Sequence, residues 1–273
     1  MLIFNKMKKV FLVALSLSLA VVTVQSCGLL SAAGLSKQGL SAKEAPADLS
    51  QANSVSAVKV DHQAWTNLLQ KHVNEAGFVD YKGFVADKSA LDSYCSYISS
   101  FSPDDNWSVQ EQLAYYINLY NSYTVKLIVD NYPTKSIKDL DGPWTKAFVP
   151  IGKVQISLGG IENSILRKMN EPRIHFAINC ASYSCPKLLN EAFTSDQIDA
   201  QLDLVTKDFI NSDKNQIEAQ NVALSSIFDW YKNDYLTGDI PTVIAFINQY
   251  SDITINSDAT LSFMEYNWSL NEQ

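Results

Sequence analysis

The stretch Ser108-Val109-Gln110-Glu111-Gln112-Leu113-Ala114-Tyr115-Tyr116-Ile117-Asn118-Leu119-Tyr120-Asn121-Ser122-Tyr123-Thr124-Val125-Lys126-Leu127-Ile128 carries the reading on which the fold class depends. Leu113, Tyr116, Ile117, Tyr120, Thr124, Leu127 and Ile128 recur at the spacing of one helix face, and the stripe is wide enough to bury the helix centrally. Ser108 followed by Glu111 has the form of a capping box. Tyr132-Pro133 ends the helix, because proline cannot continue its hydrogen-bond ladder. Asn118 and Asn121 share one face. Asparagine is a poor helix former, so amides buried here call for fixed partners: they brace the loop after Cys180, or they bind substrate in a pocket.

Toward the N-terminus, Trp65, Leu68, Leu69, His72 and Val73 keep helical spacing, Gly77 to Tyr81 breaks it, and Leu91, Tyr94, Cys95, Ile98 and Phe101 resume it before Pro103. Toward the C-terminus the period changes. Ala147 to Pro150 and Val154 to Leu158 flank Ile151-Gly152-Lys153 as a hairpin, and Gly159-Gly160 leads into a short helix from Ile161 to Met169. Arg173 to Asn179 alternates, with Ile174, Phe176 and Ile178 opposite Arg173, His175, Ala177 and Asn179, which predicts a strand. A helix from Gln197 to Ile210, a strand from Val222 to Leu224, a helix reaching Tyr231, a helix after Pro241 and strand segments near Ile253 and Phe263 follow. The expected class is α/β of the α+β kind: one helix-rich domain around a small, mostly antiparallel sheet.

The start of the chain reads as an address. Lys6, Lys8 and Lys9 precede an apolar run of roughly 15 residues from Val10, short of the roughly 20 a helix needs to span a bilayer. It closes on Val24-Gln25-Ser26-Cys27, which resembles a bacterial lipobox, with Gln25 in a place usually held by a small residue. The expected organisation is a signal peptide over 1–26, a lipidated Cys27 with a flexible Ser-, Ala- and Leu-rich tether over 27–57, and a globular domain over 58–273. The expected location is the bacterial cell envelope, with the domain lipid-anchored and facing the periplasm or the cell exterior. The membrane is then a partner through the lipid on Cys27.

The formal charge is −8; loss of the three signal lysines lowers Lys+Arg from 21 to 18 against 29 Asp+Glu, leaving −11. Nucleic acid is excluded as a partner on that balance. There is no Gly-x-Ser-x-Gly elbow, Walker loop, dinucleotide fingerprint or His-Glu-x-x-His, and three histidines without paired Cys-x-x-Cys motifs imply neither a metal nor a cofactor.

The chemistry-bearing stretch is Arg173-Ile174-His175-Phe176-Ala177-Ile178-Asn179-Cys180-Ala181-Ser182-Tyr183-Ser184-Cys185-Pro186. Cys185 before proline is expected at the start of a short helix through Lys187, Leu188 and Leu189, where backbone N–H groups stabilise a thiolate. His175 is the candidate base, with Asn179 or Glu162 to orient it. The other reading of Cys180 and Cys185 is a disulfide that locks the turn. Cys95 falls in an apolar stripe and reads as a small core residue.

Four ordered blocks resemble the family named domain of unknown function 547: Glu111 to Asn121, Ser157 to Arg167, Arg173 to Pro186, and Leu224 to Tyr231 with Tyr266 to Asn271. The family pattern includes counterparts of Glu162, Arg167, Arg173, His175, Cys180 and Cys185, and often has Ile-Glu-His where this chain has Ile161-Glu162-Asn163. The resemblance implies a site at these residues and names no reaction. The expected function is a thiol-dependent hydrolase or acyl transferase acting on a peptide or other amide, with Cys180 or Cys185 as nucleophile, His175 as base, Glu162 and Asn179 as orienting groups, and Arg167 and Arg173 holding an anionic part of the substrate. The rivals are a noncatalytic binding or scaffold domain with a structural disulfide, for a small molecule or peptide, and a thiol redox protein.

Overall fold

The structure, a computed structural model, describes residues 29–273. The signal peptide and Cys27 lie outside the described residues, and no helix within them is long and apolar enough to cross a membrane.

Helices α1 (Gln63–His72), α2 (Tyr81–Ala86) and α3 (Lys88–Ser99) lead to the central helix α4 (Val109–Asp130). Every residue of α4 from Val109 to Val125 is buried, polar ones included, so the apolar stripe of the sequence understates its burial. Ser108 caps α4 by accepting from the Glu111 N–H at 3.1 Å. The reciprocal half of the box is not made: the Glu111 carboxylate instead accepts from the backbone N–H of Val60 at 2.9 Å, tying the approach to α1 onto α4.

Strands β1 (Val149–Ile151) and β2 (Val154–Ile156) form the expected antiparallel hairpin. A mixed helix follows: α5 (Leu158–Gly160), a π-turn over Ile161–Ile165 and a 3-10 turn over Leu166–Met169, ended by Asn170 in the left-handed region at φ 56°. Helix α6 (Ile174–Ala177) and α7 (Ile198–Ile210) precede β3 (Gln216–Ile217), β4 (Asn221–Ser225), α8 (Ile227–Trp230), α9 (Val243–Ile247) and β5 (Thr260–Met264). β4 pairs antiparallel with β3 and parallel with β5. The molecule is a helix-rich α+β fold, with one core running from Leu40 to Leu270.

Four expectations need correction. Arg173 to Asn179 is no strand: α6 occupies its middle, and the chain turns extended only at Ile178. All seven residues are buried, so both faces of the alternating pattern meet the core and the alternation carries no information about a sheet. Second, no helix begins at Cys185; Lys187 to Leu189 run without regular structure. Third, no strand forms near Ile253. Fourth, the expected tether is packed in part: Leu29, Leu30, Leu35 and Val55 stay exposed, but other positions join the folded body. Leu40, Ala45 and Leu49 enter the core, Ala45 N–H donates to Met169 O at 2.6 Å, and Lys43 N–H donates to the Gln112 side chain at 3.0 Å.

Candidate functional site

A cavity of about 320 Å³ opens between the mixed helix, α6, α8 and the C-terminal segment. Each wall has a local cause. Gly159 lets the mixed helix approach the Trp144 carbonyl, which accepts its N–H at 3.0 Å; a Cβ there would stand 2.5 Å from that oxygen. Trp144 is thereby fixed as one wall. Trp230, at the end of α8, meets Tyr266 and Trp268 at ring-centroid distances of 4.8 and 5.9 Å, and these three rings form the opposite side. Trp230 stays 47% exposed, so the aromatic wall reaches the surface.

The π-turn carries Glu162 into the interior. Its carboxylate accepts from the Tyr231 hydroxyl at 2.5 Å and from the Tyr120 hydroxyl at 3.4 Å, while Trp144 Nε1 donates to Tyr120 at 3.3 Å. Burial, then the charge of Glu162, pushes the Tyr120 and Tyr231 hydroxyls far above the ordinary phenol range, so both stay neutral donors. Among the described residues, Glu162 is the only carboxylate lining the cavity, and no lysine or arginine lines it.

His175, on α6, stacks on Tyr231 at a centroid distance of 4.0 Å, and its Nε2 meets Asp234 at 2.9 Å. Its Nδ1 is buried without a hydrogen-bond partner. Asp234 also receives Arg167 through Nε at 2.5 Å and a second guanidinium nitrogen at 2.9 Å. Burial works to raise the Asp234 carboxyl, but the hydrogen bonds from His175 and Arg167 prevail and hold it well below the usual carboxylate range. The group that orients His175 is therefore Asp234, not Glu162 or Asn179.

Cys180 and Cys185 are joined as a disulfide, Cα atoms 6.3 Å apart, and both line the cavity. This corrects the nucleophile assignment, since a thiolate is required and neither sulfur is free. Ala181, at φ 58°, turns the chain back within the loop. The Cys180 N–H donates to Cys185 Sγ at 2.9 Å, and the Tyr266 hydroxyl donates to the same sulfur at 3.2 Å. Burial pushes the one free thiol among the described residues, Cys95, up to about 12.

The remaining expected site residues serve the frame. Asn179 donates from its amide to Pro186 O at 2.7 Å and accepts from Ala181 N–H at 2.8 Å, so it shapes the disulfide loop. Asn121 holds Ala177 O at 2.9 Å and Asn179 N–H at 2.8 Å; Asn118 holds Phe193 O at 2.7 Å and Phe193 N–H at 3.0 Å. Both amides are braces rather than substrate ligands. Arg173 is spent on Glu171, Asp199 and Asp203 and lines no part of the cavity. Arg167 is bound to Asp234 and Asn163 and stands over the Tyr231 ring, so it too is committed internally.

Residues 105–210 match the family described as Protein of unknown function, DUF547. The matched segment contains α4, Glu162, His175 and both disulfide cysteines, whereas Trp230, Tyr231, Asp234, Tyr266 and Trp268 lie beyond it. No curated protein and no solved structure matches the chain. Sequence reasoning passed over these later residues as site members, although the dense aromatics at Trp230-Tyr231 and Tyr266-Asn267-Trp268 were a usable signal. Asp234 had none.

Proposed function

We propose that the domain is a noncatalytic binding module for a small organic cation, an amine or quaternary ammonium, held in the aromatic cavity. The observation that carries this reading is the lining itself: among the described residues, tryptophan and tyrosine faces surround a single carboxylate, Glu162, and the lining holds no lysine or arginine, its one imidazole, His175, being paired with Asp234. Aromatic faces attract a cation through their quadrupole, and the attraction grows when the site is dry. The nearby Arg167 makes its direct contacts with Asp234 and Asn163 rather than with Glu162, so the Glu162 carboxylate keeps its cavity side for the ligand. Thiol-dependent hydrolysis is not favoured, because its nucleophile is engaged in the disulfide.

The proposal includes anchoring by lipid on Cys27. Ala32 O accepts from the Asn163 amide at 2.9 Å, and Asn163 lines the cavity. A lipid five residues before Ala32 would hold the binding site close to the membrane surface.

The test is a titration of the purified protein with choline, followed by tryptophan fluorescence. Saturable quenching is expected, and Glu162→Gln should weaken the affinity about tenfold. Equal affinity in the variant would remove Glu162 from the reading, and no saturable change in the unsubstituted protein would remove the reading.

A further inference from the structure

A disulfide that only staples a loop has no need of donors aimed at its sulfurs, yet this one has them, unequally. Cys185 Sγ receives the Cys180 backbone N–H at 2.9 Å, a donor fixed by the turn at Ala181, while the Tyr266 hydroxyl lies 3.2 Å from each sulfur and serves whichever carries the developing charge. Ser182 Oγ lies 2.8 Å from the Tyr266 hydroxyl, so it can donate into that oxygen while Tyr266 donates to sulfur. Among the described residues Cys180 Sγ has only hydroxyls in reach, Ser182 at 3.1 Å and the shared Tyr266 at 3.2 Å, and a Ser182 proton given to Tyr266 is not available to it. Exposure differs in the opposite sense: both cysteines line the cavity, but Cys185 is 6% exposed while Cys180 is half-buried.

In thiol–disulfide exchange the accessible sulfur is attacked, and the sulfur whose thiolate is better stabilised leaves faster. Hydrogen bonds from a backbone N–H and a phenol stabilise a sulfur anion more than they stabilise a neutral disulfide sulfur. Both preferences select the same direction here.

We propose that the Cys180–Cys185 disulfide exchanges with a small thiol entering the aromatic cavity, Cys180 Sγ being the sulfur attacked and Cys185 Sγ the leaving thiolate. An incoming thiolate forms a bond to Cys180 Sγ as the Sγ–Sγ bond breaks, and the electron pair of that bond departs on Cys185 Sγ. A second thiolate then attacks the substrate sulfur of the mixed disulfide and releases Cys180 as a thiolate. Two thiols are oxidised to one disulfide, the protein pair is reduced by two electrons, and the two cysteine thiolates take up protons from water. The activity is independent of cation binding, since it rests on the donors around sulfur and not on Glu162.

The experiment uses the oxidised full-length chain with 2-mercaptoethanol, a neutral thiol whose reaction does not depend on the cavity's charge. Samples are quenched with N-ethylmaleimide and the modified cysteines are located by peptide mass spectrometry. The expected product carries mercaptoethanol on Cys180 and maleimide on Cys185, and Tyr266→Phe should slow its appearance about tenfold through loss of one hydrogen bond to the leaving sulfur. Mercaptoethanol on Cys185 with maleimide on Cys180 would overturn the assignment, as would an unchanged rate in Y266F. A disulfide that reacts only after unfolding in guanidinium would show a structural staple and overturn the activity itself.

Discussion

A neutral imidazole held inside a protein makes folding depend on protonation, and His62 is such a group. Its Nδ1 meets the Tyr94 hydroxyl at 2.7 Å, its Nε2 is buried without a partner, and burial lowers its pKa to about 4 from an ordinary 6.5. Below about pH 6.5 the unfolded chain takes up a proton that the folded chain refuses until about pH 4, so stability falls as pH falls through that window. Urea unfolding should lose about 2 kcal/mol between pH 7.5 and pH 5 from this group, and His62→Leu should remove that part of the slope. The same slope in both proteins would contradict the burial. At this scale the sequence was partly legible. His175, Glu162, Cys180 and Cys185 were singled out by residue type and do meet at one cavity. Their roles were not legible, because role depends on partners distant in the chain: Asp234, which fixes His175, stands 59 residues away.

At the scale of elements, α4 was readable because its apolar positions follow one helical period, and α1 and α3 were readable for the same reason. The segment Arg173 to Asn179 was misread because a period of two has meaning only where one face meets water. Pro172 was the better signal, since proline favours the first turn of a helix and the Pro172 carbonyl accepts from the His175 N–H at 3.3 Å. The two asparagines of α4 show what a central helix does besides packing. Each offers its amide as a substitute backbone, one to Ala177 and Asn179, the other to Phe193, so loops that lack regular partners are satisfied from the helix. Asn121→Ala should strand both groups and cost about 1–3 kcal/mol of stability, read as a lower urea midpoint. An unchanged midpoint would mean that the clamp is not made in solution.

Across the whole molecule, the segment from residue 29 joins the folded body through Leu40, Ala45 and Leu49. Its leucines follow no helical or strand period, and it has no aromatic residue, so composition alone suggested a tether; irregular chain can still bury Leu40 and Leu49 when other elements supply the groove. If Cys27 carries lipid, the domain is held close against the membrane. Cys27→Ser is expected to move the protein from the membrane fraction to the soluble one, and retention after salt and carbonate washing would exclude lipid at Cys27 as the anchor. In the cavity Glu162 lies among aromatic faces, and Trp144, Trp230 and Trp268 report on its occupancy. The most direct measurement compares choline with its neutral isostere 3,3-dimethylbutan-1-ol in parallel tryptophan-fluorescence titrations. Choline should bind at least about tenfold more tightly, because shape and apolar area are shared and only the charge differs. Equal affinities, or tighter binding of the alcohol, would contradict a cation site.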